Sequence, residues 1–196
     1  MSQDAARLAE KAFVTTIALH ERMRANLGTV LVAAETMSEA LAAGRKLLVF
    51  GNGGSASDAQ HMSAELVGRF QRERAAMAAI ALTTDTSILT GIANDYSYKQ
   101  VFARQIEALG QPGDVAFGLS TSGTSANVVA GLRVGRERGL RTLALTGRGG
   151  GTVRELADVC VRVPADETAR IQEGHLLIAH IVCEIAEREV VAADSS

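Results

Sequence analysis

The sequence predicts an α/β fold in which a five-stranded parallel sheet is covered on both faces by helices. Three observations lead there. Five short apolar runs, none longer than a strand, are each closed by Gly, Pro, Asp or hydroxyl residues. Between them lie longer stretches whose apolar residues recur at helical spacing. Runs that are apolar throughout, rather than alternating, fit strands buried on both sides, as a parallel sheet requires. The composition agrees, since Ala and Gly are abundant and aromatics make up only 4% with no Trp, which suits closely packed helices and glycine-rich loops.

Residues 4–43 read as two helices, with Ala, Leu, Val and Met at helical spacing, and Gly44 stands where a left-handed residue ends a helix. Residues 46–50 form the first strand, which stops at the loop Gly51-Asn52-Gly53-Gly54-Ser55, and a helix is expected over 57–69. The second strand covers 78–82, followed by helical stretches near 87–93 and 98–109. Pro112-Gly113-Asp114 turns the chain into a third strand at 115–119, followed by a helix over 126–138 and a fourth strand at 141–145. A loop at 147–151, a short helix at 153–157 and a fifth strand at 159–163 precede a long helix over 168–190. That last helix is apolar on several sides, so it needs more than one neighbour, and the N-terminal pair shares this character.

Bulk properties exclude several classes. At 196 residues the chain has room for one domain with its own core. A formal net charge of −2 and scarce aromatics argue against nucleic-acid binding, which needs a basic groove or stacking faces. Arg133, Arg136, Arg138 and Arg141 fit the wet face of a helix and its exit turn. No run approaches membrane-spanning length, and Asp4, Arg7, Glu10 and Lys11 interrupt any secretory apolar stretch, so no membrane partner and a cytoplasmic location are expected. Cys160 and Cys183 make neither a disulfide framework nor a metal pair and read as reduced, buried core residues.

Three segments carry chemistry. Glycines after the first strand let backbone N–H groups approach an anion, and the following helix adds its positive end. Gly51, Gly53 and Ala56 also satisfy a dinucleotide fingerprint, but that reading wants an acid at the far end of the second strand. Glu73 precedes that strand and so lies at the wrong end. The second segment, Ser120-Thr121-Ser122-Gly123-Thr124-Ser125, ends the third strand, where ligands of open parallel sheets collect. Helix capping accounts for one or two hydroxyls there, not five in six positions, so a phosphate cradle is expected. Third, His61 and Glu65 share a helix face at i, i+4 spacing. Gln172 and His180, eight residues apart, point within roughly 80° of one another and can face one cleft. His175 points elsewhere and reads as a structural hydrogen-bonding residue, and His20 as a solvated helix residue.

In order along the chain stand Gly-Asn-Gly-Gly-Ser-Ala-x-Asp-Ala-Gln-His-x-x-x-Glu, Leu-Thr-x-Asp-x-Ser-x-Leu-Thr, Ala-Asn-Asp-Tyr, Ser-Thr-Ser-Gly-x-Ser-x-Asn and Arg-Ile-Gln-Glu-Gly-His-x-x-x-x-His. As a set, from about Leu48 to His180, they resemble the phosphoheptose isomerases of the SIS (sugar isomerase) fold. The resemblance implies a three-layer SIS domain over residues 1–196, with residues 1–43 as an N-terminal helical pair. It implies an aldose–ketose isomerase that converts sedoheptulose 7-phosphate to D-glycero-D-manno-heptose 7-phosphate through an enediolate, at the start of nucleotide-heptose biosynthesis. Asn52, Gly53, Gly54, Ser55, Ser120, Thr121, Ser122 and Ser125 would then hold substrate, chiefly its phosphate, with Asn94, Asp95, Glu65 and Gln172 at the sugar chain. His61, Glu65, Gln172 and His180 would bind one zinc ion per subunit, with Glu65 as the carbon base and His180 as its proton-transfer partner. Asp58 and Asp166 are the spare carboxylates. A homotetramer is likewise implied. The Arg148-Gly149-Gly150 loop departs from the family pattern. SIS-fold paralogues that only bind sugar phosphates, or that associate with replication initiators, form the competing class, although a binder has no use for a base and a complete ligand set.

Overall fold

The computed structural model describes residues 3–25 and 27–194, so the ends of the expected 1–196 domain and residue 26 of its helical pair lie outside the described residues. Helices α1 (Gln3–Arg24) and α2 (Leu27–Ala42) lead into β1 (Leu47–Gly51), and Gly44 takes the left-handed conformation expected of it. The chain continues through α3 (Gly54–Val67), β2 (Ala79–Ala81), α4 (Thr86–Asp95), a 3-10 turn (Tyr98–Gln100) and α5 (Val101–Leu109). Next come β3 (Val115–Ser120), α6 (Ala126–Glu137), β4 (Arg141–Thr146), α7 (Val153–Leu156), β5 (Val159–Arg162) and α8 (Thr168–Asp194).

All strand pairs are parallel, in the order β2-β1-β3-β4-β5. Strand order therefore reverses direction between β1 and β3, whose carboxyl ends lie side by side with Gly51 in register with Leu119. In open α/β sheets such a switch point opens a crevice. The core divides as the pleat demands, because successive side chains leave opposite faces of a strand. Leu47 and Val49 of β1, Val115, Phe117 and Leu119 of β3, and Leu143 and Leu145 of β4 pack with α2, α3 and α8. Leu48, Phe50, Ala116 and Ala144 pack with α5 and α6 on the other face. Each fully buried Leu or Phe contributes on the order of 1.5–3 kcal/mol, so the sheet centre is the most strongly held part of the chain.

At the amino ends of β1 and β3, buried Asp114 pairs with Lys46 Nζ (2.6 Å) and accepts the backbone N–H groups of Lys46 and Gln111. This buried, fully bonded pair secures the edge opposite the crevice. The arginines of α6 and its exit are exposed, as expected, with Arg141 paired to Glu39. Helix α3 begins three residues earlier than the sequence suggested, because the small residues 54–56 are already wound. Two histidines differ from expectation. His20 lies against the junction of α1, α2 and α8, its Nε2 buried and without a partner. His175 is fully buried, and neither ring nitrogen makes a well-formed hydrogen bond. Cys160 is only half-buried, whereas Cys183 is fully buried, and both are free thiols.

Candidate active site

The crevice at the switch point is built from the loops that leave β1 and β3. Asn52 Nδ2 donates to Asn127 Oδ1 (2.9 Å), and Asn127 Nδ2 donates back to Asn52 Oδ1 (2.8 Å). This reciprocal amide pair ties the two loops together, and Tyr98 Oη donates to Asn52 Oδ1 from the third side (3.2 Å). Asn127, buried on the first turn of α6, and Tyr98 were not singled out in the sequence. The asparagine two positions after Ser125 was the available signal for the first.

Both helices that start at the crevice lack a side-chain cap. Gly53 precedes α3 with φ of 57°, Ser125 precedes α6, and neither α3 nor α6 has a side-chain hydrogen bond at its cap. In α3 the N–H groups of Ser55, Ala56 and Ser57 bond the carbonyls of Asn52 and Gly53, and in α6 Val128 N–H bonds Asn127 Oδ1 (3.0 Å). An anion at the crevice is therefore favoured chiefly by the dipoles of the two helices. Ser120 Oγ bonds Ser125 Oγ (3.0 Å) and lies 3.5 Å from Ser122 Oγ, while Thr124 Oγ1 donates to Ser122 Oγ (3.0 Å). The hydroxyls of Ser120, Ser122, Thr124 and Ser125 thus form one connected cluster. The partly buried Thr121 accepts the Gly147 N–H through its carbonyl (3.0 Å), anchoring this loop to the one after β4. Gly123, at φ 69°, approaches Gly150 so closely that a Cβ there would collide with the Gly150 carbonyl.

Helices α3 and α8 supply the second half of the site. His61 Nε2 lies 2.9 Å from His180 Nε2 and 3.2 Å from Glu65 Oε1. One ligand atom from each of the three lies within 4.8 Å of the others, a grouping able to hold a metal ion. The fit is chemical as well as spatial. A tetrahedral zinc with nitrogen and oxygen ligands near 2.0–2.1 Å has ligand–ligand edges of about 3.3 Å, close to the two separations observed. Gln172, two turns before His180, lies against the start of α3, where a Cβ on Gly54 would overlap its amide. Gly54 is therefore glycine for close approach, and buried Ser55 begins the same turn.

Other expected residues stand further off. Asn94 Nδ2 donates to Asp95 Oδ1 (2.8 Å) at the end of α4, and Asp95 lines a separate cleft of about 410 Å³ with Ile88, Tyr96 and Arg104. Asp58 sits on α3 one turn before His61 with Oδ2 buried and without a partner. Burial pushes its carboxyl upward while His61 opposes the shift. Asp166 is exposed and pairs with Arg148 (3.3 Å). Glu73 lies in the exposed segment before β2, so the dinucleotide reading has no ribose acid at the crevice. Phe70 packs its ring 5.7 Å from that of His180, a contact between residues 110 positions apart that no local pattern signals.

A crevice at the switch point, a hydroxyl-rich anion cradle and a facing metal-ligand group together define a SIS-type sugar-phosphate domain. The SIS domain family matches residues 13–147. A phosphoheptose isomerase from Geotalea daltonii is 55% identical over 176 residues, covering 87% of this chain and 92% of that protein. The phosphoheptose isomerase structure from Neisseria gonorrhoeae superposes with a TM-score of 0.87 at 41% identity, covering 98% of this chain and all of that one. The Francisella tularensis phosphoheptose isomerase gives 0.90 at 35% identity, covering 96% and 100%. The chain belongs to the phosphoheptose isomerase family, and it is an isomerase.

Proposed function

We propose that this chain interconverts sedoheptulose 7-phosphate and D-glycero-D-manno-heptose 7-phosphate, the entry step to nucleotide-heptose biosynthesis, within one SIS domain spanning residues 1–196. The observation that carries the reading is the meeting of His61 and Glu65 of α3 with His180 of α8 beside an uncapped, hydroxyl-lined crevice. The phosphate goes to the Ser/Thr loop, where Ser120, Thr121, Ser122 and Ser125 supply hydroxyl and backbone donors and the start of α6 supplies its dipole. Asn52, Gly53, Gly54 and Ser55 line the adjoining side. By the family resemblance Asn94 and Asp95 would meet the sugar chain, although Asp95 lines a cleft apart from the crevice in this chain.

His61, Glu65, Gln172 and His180 would hold one Zn²⁺ per subunit. Bound there, the ion supplies Lewis-acid stabilisation for the oxygen that gains charge during the reaction. Glu65 takes the C1 proton of the ketose and returns it to C2, leaving an enediolate between the two steps. His180, beside it, would move the proton between the O1 and O2 oxygens through its ring nitrogen not engaged by the ion. A carboxylate held tightly by zinc is a weak base, so Glu65 would serve as the base only as a loosely held ligand. Phe70 packs its ring against His180 and helps to orient it.

The chain works in the cytoplasm, and no described helix is long and apolar enough to cross a membrane. It assembles as a homotetramer. Support comes from α1, whose outward face carries Phe13 (73% exposed), Val14 and Ile17 (60% exposed), an apolar stripe too large to leave to water.

The test is reaction in D₂O. Wild-type protein should form aldose phosphate carrying carbon-bound deuterium, and Glu65→Gln should lose turnover by at least about a thousandfold while still binding the sugar phosphate. Near-normal turnover by that variant would remove Glu65 from its role. Saturable sugar-phosphate binding with no turnover by the wild type would place the chain among SIS-fold sensors.

A further inference from the structure

Helices α3 and α8 run alongside one another and meet at successive levels. Gly54 meets Gln172 at the first level, and His61 meets His180 at the second. A third level lies seven residues further along α8, at Glu187, which returns to the same helix face as His180 after two turns. Glu187 is 1% exposed and accepts backbone N–H groups from Phe70 (2.9 Å), Gln71 (2.9 Å) and Arg72 (3.0 Å), the segment that follows α3. Its remaining contact is Arg74, also buried, whose Nε lies 3.2 Å from Glu187 Oε1. Arg74 turns its other nitrogens onto the end of α3, donating to the carbonyls of Glu65 (2.8 Å), Leu66 (2.8 Å) and Gly68 (3.2 Å). One ion pair thus joins the backbone of the metal-group residue Glu65 to the helix that carries His180. The segment it fixes also carries Phe70, whose ring rests on His180.

We infer that the buried Arg74–Glu187 pair is a positioning device for the metal group, holding α3 and α8 at the separation that lets His61 and Glu65 share an ion with His180. A hydrophobic pair of similar volume fills the same space with comparable stability in many proteins. What it cannot supply is the directional bonding that ties three carbonyls of one helix end to a side chain of the other. The inference rests on the proposed metal site and extends it to residues that touch neither ion nor substrate. Distances between ligands of a few tenths of an ångström decide affinity, and residues that orient ligands typically change metal affinity 10–100-fold when altered.

The experiment uses full-length protein stripped of metal and reloaded with Co²⁺, whose visible absorption reports ligand geometry, with Zn²⁺ affinity from chelator competition as the second readout. Glu187→Gln keeps the shape and removes the charge. Arg74→Lys, which keeps the charge and loses the fork, serves if the first variant does not fold. The control is Lys46→Met, which breaks the buried pair with Asp114 at the opposite edge of the sheet. The expected result is a changed Co²⁺ spectrum, Zn²⁺ affinity weakened about 10–100-fold and kcat reduced, with KM for the sugar phosphate within about twofold. Lys46→Met should lower thermal stability while leaving the spectrum unchanged. A folded Arg74 or Glu187 variant with wild-type spectrum and affinity would overturn the positioning role while leaving the metal site standing. Wild-type protein that takes up neither ion would overturn both.

Discussion

His175 shows what burial does to a single residue. It has no exposed surface, and burial pushes its imidazole down from 6.5 to about 4, with the backbone of Thr146 opposing the shift. The folded protein therefore holds a neutral ring where the unfolded chain takes up a proton between pH 6.5 and 4. Stability present above pH 6.5 falls through that window as pH drops, by about 3 kcal/mol for a shift of this size. Urea unfolding of His175→Phe should show a correspondingly shallower acid slope than wild type over that range, and equal slopes would contradict the account. Glu187 behaves in the same sense at lower pH. Burial raises its carboxyl, but the backbone N–H groups of Gln71, Phe70 and Arg72, with Arg74, more than offset this and hold it below its usual value. Its contribution is complete above the ordinary carboxylate range and fades as pH falls through the folded value. Cys183 is inert for a related reason, its thiol pushed up to about 12 by burial, with Glu65 adding to the shift.

At the scale of elements, the site depends on how closely α8 lies on α3. Gly54 is the narrowest point, since any Cβ there meets the Gln172 amide. Gly54→Ala should leave the fold intact, because a Cβ there would meet only the far end of the flexible Gln172 side chain. It should nevertheless weaken metal binding at least about tenfold by displacing Gln172. A thermal melt alongside chelator competition separates the two effects, and unchanged affinity would remove Gln172 from the ligand set. Much of the element pattern was legible in the sequence. Continuous apolar runs marked every strand, and Gly44 marked the end of α2, because buried parallel strands and left-handed caps leave local signatures. The site was legible only in part. The i, i+4 spacing placed His61 and Glu65 on one face, but nothing local says that α8 returns to that face, and the ligand set came from resemblance. Arg74, Glu187 and Asn127 were missed for one physical reason. Each acts through a long-range contact, and each by itself reads as a polar residue on a solvated surface.

For the molecule as a whole, the two sheet edges have different tasks. Buried Asp114 with Lys46 secures the amino edge, while the carboxyl edge leaves helix N-termini uncapped and polar groups gathered for a ligand. The apolar face of α1 looks outward, which supports the proposed subunit assembly. Phe13→Glu combined with Ile17→Glu should convert a tetramer to smaller species in light scattering coupled to size exclusion, and an undisturbed mass would place the interface elsewhere. The central claim is that isomerisation takes place at the metal group between α3 and α8. Its most direct test is a coupled assay of the purified protein with sedoheptulose 7-phosphate, before chelation, after it, and after Zn²⁺ is restored. The account predicts aldose phosphate formed at first, lost on chelation and regained with zinc. Turnover that survives rigorous chelation, or no turnover with zinc restored, would contradict it.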